Sequence, residues 1–357
     1  MSSAAPTPAT APRVAPTAIT MAAALNAALR DAMDEDERVV VFGEDVGRLG
    51  GVFRVTEGLQ RRFGADRCFD TPAAESAIVG TAVGMAMYGL RPVVEMQFDG
   101  FAHPAFDQIV SHVAKYRSRT WSAVSLPLVV RIPYGGGIGS VEHHSESPEA
   151  YYAHTPGLTV VTPGTPADAY SLLRAAIASP DPVIFLEPKR RYWMREEVSL
   201  PVTTEPMDRA VIRRPGSTAT VIAYGPMVET ALEAAEAGRD DSWDLEVVDL
   251  RSLAPLDLQT VAASVRRTRR AVVVHEASRR AGLGAEIAAE LGEQLFGELA
   301  APVLRVTGWD VPYPPARIER HFLPDADRIL DAVARLMRHG DGSGRPIPPV
   351  GPPGSSG

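Results

Sequence analysis

The sequence has 357 residues, of which 45% are hydrophobic and 22% charged, a composition typical of a globular protein long enough for two domains. Asp and Glu total 44 against 36 Lys and Arg, which gives a formal net charge of -8. The chain therefore lacks the excess of basic residues that nucleic-acid binding requires, although an acidic surface can still meet a basic protein partner. No run of about 18 apolar residues is present, so we predict no membrane-spanning helix.

The single cysteine and the first residues of the chain help to predict the cellular compartment of the protein. Cys68 is the only cysteine, so no intrachain disulfide can form, and a reducing compartment, the cytoplasm, is predicted. We expect Cys68 to be buried as a small apolar residue. Residues 1–16 lack the basic start and apolar block of a secretory signal, and we predict disordered tails over residues 1–16 and 340–357.

The first predicted elements are a helix and a buried strand. Thr20 is a suitable N-cap for a helix that reaches about Met33. The apolar run Val39–Gly43 has the length of a strand and predicts one that is covered on both faces. Glu44 and Asp45 follow it directly. Acidic residues at the carboxyl end of such a strand either bind a ligand or cap the following loop, and the sequence leaves both interpretations open.

The next stretch, from Thr71 to Gly89, predicts the helix around which we expect the chemistry to be organised. Thr71 suits the N-cap, Pro72 suits the first helical position, and Gly89 is a natural C-terminal stop. Glu75 is the only charged residue of this stretch. Its neighbours at helical spacing are all apolar: Ile78, Val79, Ala82 and Val83. A carboxyl group on an apolar face tends to hold its proton and suits acid–base chemistry, whereas the alternative interpretation is an ion pair with a distant residue.

Two further strands and a glycine-rich loop follow. Val93–Gln97 and Leu126–Ile132 read as buried strands, and His103 begins a predicted helix between them. The loop Tyr134–Gly139 lacks the Gly-Lys-Ser or Gly-Lys-Thr ending of a phosphate-binding P-loop. It leads into a cluster of acidic and histidine side chains, Glu142–Ala150.

Strands and helices then alternate to the end of the chain, which predicts an α/β fold with two parallel-sheet domains joined by right-handed crossovers. We assign residues 17–187 to the first domain and residues 210–339 to the second. Residues 188–209 carry clustered charges and several prolines, and we interpret them as an interdomain linker.

Two motifs imitate ligand sites. Glu142, His143, His144 and Glu146 resemble metal ligands, but adjacent histidines point apart in an extended segment and no further cluster has ligand spacing. A histidine that donates a proton or hydrogen bond to a substrate oxygen fits better, and the other histidine of the pair is then structural. Gly282-Leu283-Gly284 resembles a dinucleotide fingerprint, yet no acidic residue ends a strand about 20 residues further on, so we interpret it as a helix start packed against the sheet rather than as a nicotinamide site.

The chain resembles the β subunit of the thiamine-diphosphate-dependent decarboxylating component of 2-oxo acid dehydrogenase complexes, over roughly residues 18–338. This resemblance implies a pyrimidine-binding domain followed by a transketolase C-terminal-like domain. The matching stretches are Phe42-Gly43-Glu44-Asp45-Val46, Gly50-Gly51-Val52-Phe53-Arg54, Thr71-Pro72 with Glu75 and Ile78-Val79-Gly80, Glu95-Met96-Gln97-Phe98, Pro104-Ala105-Phe106-Asp107-Gln108, His144-Ser145 with Ser147-Pro148-Glu149, Val248-Asp249-Leu250-Arg251, and His275-Glu276-Ala277.

The resemblance implies roles for individual residues. Glu75 matches a glutamate that hydrogen-bonds the aminopyrimidine ring of thiamine diphosphate and drives it to the imino tautomer. His144 matches a histidine that donates a hydrogen bond or proton during decarboxylation and reductive acylation. Gln97 and Phe101 fall on cofactor-pocket positions, with tyrosine in place of Phe101 in some members, and Glu44 resembles an acid in a channel between paired active sites.

A potassium site is also implied by some relatives. It is formed by backbone carbonyls that match Leu128, Ala176, Ser179 and Asp181, and Ser179 replaces the aspartate found there.

The missing parts imply partners. Gly340-Asp341-Gly342 imitates the start of the motif that binds thiamine diphosphate and magnesium, which also needs a downstream asparagine. It lies in a predicted tail with no asparagine after it. The resemblance therefore implies that an α subunit holds the diphosphate and Mg²⁺ in an α2β2 heterotetramer. It further implies decarboxylation of a small 2-oxo acid and acyl transfer to a lipoyl domain of a dihydrolipoyl acyltransferase core.

His144–His154 and Glu187-Pro188-Lys189 look most like the branched-chain members. Pyruvate or acetoin is the alternative substrate, and a non-catalytic scaffold that binds the acyltransferase core is the alternative of another class.

Overall fold

The computed structural model describes residues 16–339, so the predicted tails lie outside the described residues except for residue 16. In the first part of the chain the elements are β1 (Thr17–Thr20), α1 (Met21–Glu35), β2 (Val39–Gly43), α2 (Leu59–Phe63), β3 (Cys68–Asp70), α3 (Glu75–Met87), β4 (Arg91–Glu95), α4 (Tyr116–Arg119), β5 (Val129–Tyr134), α5 (Glu149–Ala153), β6 (Thr159–Val161), α6 (Pro166–Ala178), β7 (Val183–Pro188) and β8 (Arg195–Val198).

The second part continues with a further series of strands and helices. They are β9 (Val211–Arg214), β10 (Ala219–Ala223), α7 (Met227–Ala237), β11 (Leu245–Asp249), β12 (Ser252–Ala254), α8 (Leu258–Thr268), β13 (Ala271–Ser278), α9 (Leu283–Leu295), β14 (Leu304–Gly308), α10 (Glu319–Phe322) and α11 (Ala326–Arg338). Short 3-10 turns cover Asp99–Ala102, Glu142–His144, Lys189–Arg191, Gly238–Asp241 and Ala316–Ile318, and a π-helical turn covers Gln108–Val113.

Within residues 16–339 the strands form two large sheets and one small one. The first sheet has seven strands in the order β12-β6-β7-β5-β4-β2-β3, and the second has five in the order β14-β13-β10-β11-β9. All neighbours pair in parallel except the edge strands β12 and β9, which are antiparallel. The α/β class is therefore confirmed. The antiparallel edges, and the two-stranded sheet of β1 and β8, were not predicted.

The sequence of β2 shows why this strand lies inside the first sheet. All five of its residues are buried. Val39 and Val41 pack into one apolar core with α1, whereas Val40 and Phe42 pack into the opposite core with α3. Because successive side chains of a strand point to opposite faces, a continuous apolar run is needed when both faces are covered. Thr20 caps α1 as predicted, since its side chain accepts a hydrogen bond from the Ala23 amide.

The predicted start of the Glu75 helix is wrong by three residues. Its N-cap is Ala74, and Glu75 is the first residue of α3. Thr71 is held elsewhere, because its amide donates to the Gly43 carbonyl at 3.0 Å and so prolongs the alignment of β3 with β2. The helix ends as predicted, at Met87 with Gly89 close behind.

Two other segments differ from the sequence prediction. The helix expected from His103 is instead a π-helical turn followed by the short helix α4. The predicted linker, 188–209, is more structured than its polar sequence indicates, because it contains β8 and buries Lys189 and Arg191. Both charges have partners in other parts of the chain, which a local pattern cannot reveal.

The two large sheets contact each other through buried polar groups. Strand β12, from the second part of the chain, adds to the edge of the first sheet beside β6. Glu149 of α5 accepts a hydrogen bond from the Tyr224 hydroxyl, which follows β10, at 2.7 Å, and Glu149 is fully buried. Burial raises the pKa of Glu149 to about 7, and the Tyr224 hydrogen bond opposes that rise. Burial therefore outweighs the hydrogen bond and favours a neutral carboxyl group.

Stability should depend on pH through Glu149. An ordinary glutamate titrates near 4.5, so between that pH and about 7 the unfolded chain releases a proton that the folded chain keeps. The free energy of unfolding should fall as pH rises through this window, by about 3 kcal/mol. We expect Glu149→Gln, which stays neutral and still accepts from Tyr224, to flatten this dependence in urea unfolding at pH 5 and pH 8. The exposed control Glu197→Gln should leave it unchanged, and an equal slope in both variants would contradict the expectation.

Candidate active site

Three residues that the sequence singled out, Glu44, Glu75 and Gln97, lie at the carboxyl edge of the first sheet. Strand β2 lies between β3 and β4, and all three run in parallel. Glu44 follows β2, Gln97 follows β4, and Glu75 begins α3 shortly after β3. Ligands of open α/β sheets bind outside this edge, so the topology itself brings these side chains to a place suited to binding.

Glu44 and Glu75 form a carboxyl pair. Burial raises the pKa of Glu44, and the neighbouring Glu75 carboxyl, which is also its hydrogen-bond partner, adds to the rise. The Oε1 atom of Glu44 is buried and has no hydrogen-bond partner. Two carboxyl groups in contact cannot easily both be charged, so Glu44 holds its proton to a higher pH than an ordinary glutamate does.

The surroundings of Glu75 differ from the fully shielded position expected. Its helical neighbours Ile78, Val79, Ala82 and Val83 are buried as predicted, but Glu75 itself is only half-buried because it lies in the first turn of α3. A helix N-terminus favours a nearby carboxylate. Part of the Glu75 surface is therefore exposed at this edge of the sheet, and a second chain could cover it.

Gln97 is fixed by a local contact. Its Nε2 atom donates to Oδ2 of Asp45 at 3.0 Å. Asp45 adopts a left-handed backbone conformation with φ of 57°, which turns the chain directly after Glu44. The hydrogen bond links the chain segments that follow β2 and β4, and it leaves the Gln97 carbonyl oxygen free to accept from a ligand.

His144 lies in an aromatic cradle. Its ring stacks on Phe98, with centroids 4.1 Å apart, and meets Phe101 edge-on at 4.9 Å. The Nδ1 atom of His144 contacts the His143 carbonyl oxygen at 2.9 Å. A proton on Nδ1 would satisfy that carbonyl and leave Nε2 available for a ligand.

The prediction that the two histidines point apart is wrong. They lie in a 3-10 turn rather than an extended segment, and their rings are 4.2 Å apart. His143 is exposed and contacts Glu142 at 3.4 Å, whereas His144 is packed between the two phenylalanines. Of the pair, His144 is the one held in a fixed orientation.

A buried lysine, whose role the sequence did not reveal, binds the backbone of His144. Lys189 is fully buried, forms an ion pair with Asp99, and donates to the His144 carbonyl oxygen at 2.6 Å. Asp99 also accepts from the Glu146 amide at 3.0 Å. Burial lowers the pKa of Lys189, and the Asp99 charge opposes that effect. Lys189 and Asp99 thus tie the turn that carries His144 to the residues after β4.

A second buried ionic group lies under the same edge. The Arg131 guanidinium, on β5, donates to Glu95 at 2.6 Å and to both oxygens of Glu187 at 2.6 and 2.8 Å. The Tyr192 hydroxyl donates to Glu187 at 2.5 Å. Burial raises the pKa of Glu95, and the Arg131 charge opposes that rise. The cation therefore favours the charged form of the carboxyl group that it binds. Glu95 was part of a matched sequence stretch, but its partners were not predicted.

Gly100 provides a steric test of the His144 turn. A Cβ atom at position 100 would lie 2.0 Å from the His143 carbonyl oxygen, far inside contact distance. We expect Gly100→Ala to displace the turn, to destabilise the fold by roughly 1–3 kcal/mol, and to lower activity. Thermal unfolding and turnover would measure this. As a control, Gly292→Ala, inside α9, meets no atom within 4 Å and should lose neither stability nor activity, so equal losses in the two variants would contradict the close contact.

The residues matched to a potassium site do come together, but their carbonyl oxygens already accept hydrogen bonds. The Leu128 carbonyl accepts from Val183, that of Ala176 from Ser179, and that of Asp181 from the Ser179 hydroxyl. The Ser179 carbonyl accepts from the Arg91 guanidinium at 3.2 Å. Among residues 16–339 no group of three or more His, Cys, Asp or Glu side chains could hold a metal ion.

The glycine motif after β13 has a packing explanation. A Cβ on Gly284 would lie 2.7 Å from Nε2 of His275, and one on Gly282 would lie 2.7 Å from Cε1 of the same ring. The glycines therefore let α9 start directly over His275, as the sequence interpretation proposed. Burial lowers the pKa of His275 to about 4, so this ring is neutral.

In the part of the chain that the structure describes, no helix is both long and apolar enough to cross a membrane.

Comparisons with known proteins define the class. Residues 17–194 match the transketolase pyrimidine-binding domain and residues 208–329 the transketolase C-terminal domain. A solved structure described as a split-gene transketolase, an inactive β4 tetramer, has a TM-score of 0.73 at 24% identity, and the match covers 90% of this chain and 99% of that one. The fold is therefore that of a transketolase-like α/β protein.

Sequence relatives narrow the class. The 3-methyl-2-oxobutanoate dehydrogenase subunit beta of Mycobacterium tuberculosis is 60% identical, over 88% of this chain and 90% of that one. The pyruvate dehydrogenase E1 component subunit beta of Leifsonia xyli subsp. xyli is 56% identical, over 88% and 94%. The 2-oxoisovalerate dehydrogenase subunit beta of Pseudomonas aeruginosa is 48% identical, over 87% and 93%. The chain belongs to the family of 2-oxo acid dehydrogenase β subunits.

The residues at the edge of the first sheet fit the pyrimidine half of thiamine diphosphate, the cofactor that the fold family implies. Glu44 leaves a buried oxygen without a partner, Glu75 faces the open edge, and Phe101 offers an aromatic wall. Because the relatives are β subunits, an α subunit partner is implied for this chain.

Proposed function

We propose that this chain is the β subunit of a branched-chain 2-oxo acid dehydrogenase, which with an α subunit decarboxylates branched 2-oxo acids and transfers the acyl group to a lipoyl domain. The observation that carries the proposal is the Glu44–Glu75 carboxyl pair at the open carboxyl edge of the first sheet. The 60% identity with the 3-methyl-2-oxobutanoate dehydrogenase β subunit supports the substrate class.

In this proposal, one set of residues binds the cofactor and His144 acts on the substrate. Thiamine diphosphate, when bound, supplies a carbon nucleophile for the keto carbon and an acceptor for the electron pair that CO₂ leaves behind. Glu75 binds the aminopyrimidine ring and exchanges a proton with it, and Glu44 supports that proton through the carboxyl pair. Gln97 and Phe101 line the pocket. His144, oriented by Phe98 and Phe101, donates a hydrogen bond or a proton to an oxygen of the substrate.

The α subunit completes the site in this proposal. It holds the diphosphate and Mg²⁺, and two copies of each chain form an α2β2 heterotetramer that docks on a dihydrolipoyl acyltransferase core. A potassium ion bound by the backbone carbonyls of Leu128, Ala176, Ser179 and Asp181 remains part of the proposal, and at Ser179 it would share the carbonyl oxygen with the Arg91 guanidinium. The buried, unpaired Cys68 fits a reducing compartment such as the cytoplasm.

The experiment that tests the substrate class is coexpression with the α subunit, followed by decarboxylation assays with an artificial electron acceptor. We expect the highest kcat/KM for 3-methyl-2-oxobutanoate and 4-methyl-2-oxopentanoate. The runner-up is pyruvate, which the 56% identity with a pyruvate dehydrogenase β subunit favours, and a clear pyruvate preference would overturn the branched-chain proposal. A heterotetramer that assembles but decarboxylates none of the three acids would favour a scaffold.

A further inference from the structure

The loop that carries His144 is closed at its ends and held from two sides. We define loop 135–146 as the segment between β5 and α5 whose ends meet through a hydrogen bond from the Gly135 amide to the Glu146 carbonyl at 2.8 Å. Lys189 and Asp99 hold its second half, through His144 and Glu146. Its first half contains four glycines, which make a free backbone unusually flexible.

The first half of the loop is held by a carboxylate from the other part of the chain. The Gly137 amide donates to Oε1 of Glu319 at 2.8 Å, and the Gly139 amide donates to Oε2 at 3.2 Å. Glu319 begins α10, and only 8% of its surface is exposed. The Tyr313 hydroxyl donates to the same Oε1 atom at 2.7 Å. Three donors therefore converge on one buried carboxylate.

The backbone of the loop is shaped for this carboxylate. Gly137 and Gly139 have φ of 88° and 70°, a left-handed conformation that L side chains rarely adopt. Successive amides that point inward form a concave anion-binding surface, and a carboxylate that accepts from backbone amides makes charge-assisted hydrogen bonds. At Gly136 a Cβ would lie 1.8 Å from the Tyr313 hydroxyl, so glycine is needed for the close approach.

We infer that Glu319 is a positioning residue for His144. By binding the amides of Gly137 and Gly139 it fixes the flexible half of loop 135–146, and with Lys189 on the other half it sets the place of the His144 ring at the edge of the first sheet. This inference rests on the role proposed for His144. Small displacements of a group that acts on substrate are costly, on the order of 10²-fold in rate for about 1 Å.

The test uses the α2β2 enzyme with Glu319→Ala, Glu319→Gln and the exposed control Glu293→Ala. We expect Glu319→Ala to speed hydrogen exchange at the Gly137 and Gly139 amides and to lower kcat by roughly 10-fold to 100-fold, with a much smaller change in KM. Glu319→Gln keeps one acceptor oxygen and should lie between Glu319→Ala and wild type. The control should match wild type in both readouts.

A double-mutant cycle separates positioning from general stability. If Glu319 acts through His144, adding Glu319→Ala to His144→Ala should cost no further activity. A full additional loss, wild-type kcat in Glu319→Ala, or unchanged amide exchange would overturn the inference. Wild-type turnover in His144→Ala alone would remove the proposed role of His144, while amide exchange would still report whether Glu319 holds the loop. If Glu319→Ala fails to fold, Tyr313→Phe, which removes one hydroxyl donor, should change exchange and kcat in the same direction by less.

Discussion

Replacing Glu75 with alanine is expected to lower the rate of 2-oxo acid decarboxylation by roughly 10²–10⁴-fold, the usual contribution of a positioned acid–base group. The reason is the Glu44–Glu75 carboxyl pair, in which Glu44 holds its proton more tightly than usual because of burial and of the Glu75 charge. Without Glu75 the site loses the carboxyl group that faces the open edge, and Glu44 loses its hydrogen-bond partner. Glu75→Gln should show a comparable loss, because an amide cannot exchange the proton.

The measurement is turnover of 3-methyl-2-oxobutanoate by the purified α2β2 enzyme, together with its mass in solution. Glu286→Ala is a matched control, since Glu286 also lies in the first turn of a helix and is exposed. It should retain wild-type turnover. If Glu75→Ala retained turnover within about twofold while the heterotetramer stayed intact, the chemical role of the carboxyl pair would be refuted, because the expected loss is much larger.

Replacing Arg131 with methionine is expected to destabilise the fold by roughly 3–5 kcal/mol, because it leaves the buried acids Glu95 and Glu187 facing each other without a cation. Arg131 and Glu187 have no exposed surface. Burial alone would lower the pKa of Arg131, but the Glu187 and Glu95 charges raise it above the ordinary value for arginine. The three groups thus depend on one another.

Urea unfolding of Arg131→Met measures this cost. Arg239→Ala is the control, because Arg239 is exposed and pairs with Glu236 on the surface, and we expect a change within about 0.5 kcal/mol. The triple variant Glu95→Gln/Arg131→Met/Glu187→Gln removes all three charges and should recover part of the loss. Equal free energies of unfolding for Arg131→Met and the control would contradict a stabilising role of the buried cation.

The sequence predicts the local features of this fold well. Val39–Gly43 is a strand buried on both faces, as its continuous apolar run predicts. The glycines at 282 and 284 mark a helix start, as expected. In contrast, α3 begins later than Thr71 and Pro72 indicate, because the Thr71 amide is used by the Gly43 carbonyl, a contact between strands that no local pattern encodes.

The candidate site shows the same division. Glu44, Glu75, Gln97, Phe101 and His144 were selected from their neighbours in sequence and from a family resemblance, and the structure places Glu44 against Glu75 and Phe101 against His144.

The supporting charges were missed. Lys189, Arg190 and Arg191 read as part of an interdomain linker, yet Lys189 pairs with Asp99 and Arg190 with Glu276, both far away in sequence. Only the fold brings such partners together, so a buried charge cannot be told from an exposed one by composition.

The central claim is that this chain supplies the acid for the pyrimidine ring while a second chain holds the charged end of the same cofactor. The most direct measurement is an experimental structure of the α2β2 enzyme with thiamine diphosphate. The account predicts the Glu75 carboxyl within hydrogen-bond distance of the aminopyrimidine ring, and the diphosphate and its metal ion bound by residues of the α subunit. A Glu75 side chain that points into solvent, or a diphosphate held by this chain, would contradict it.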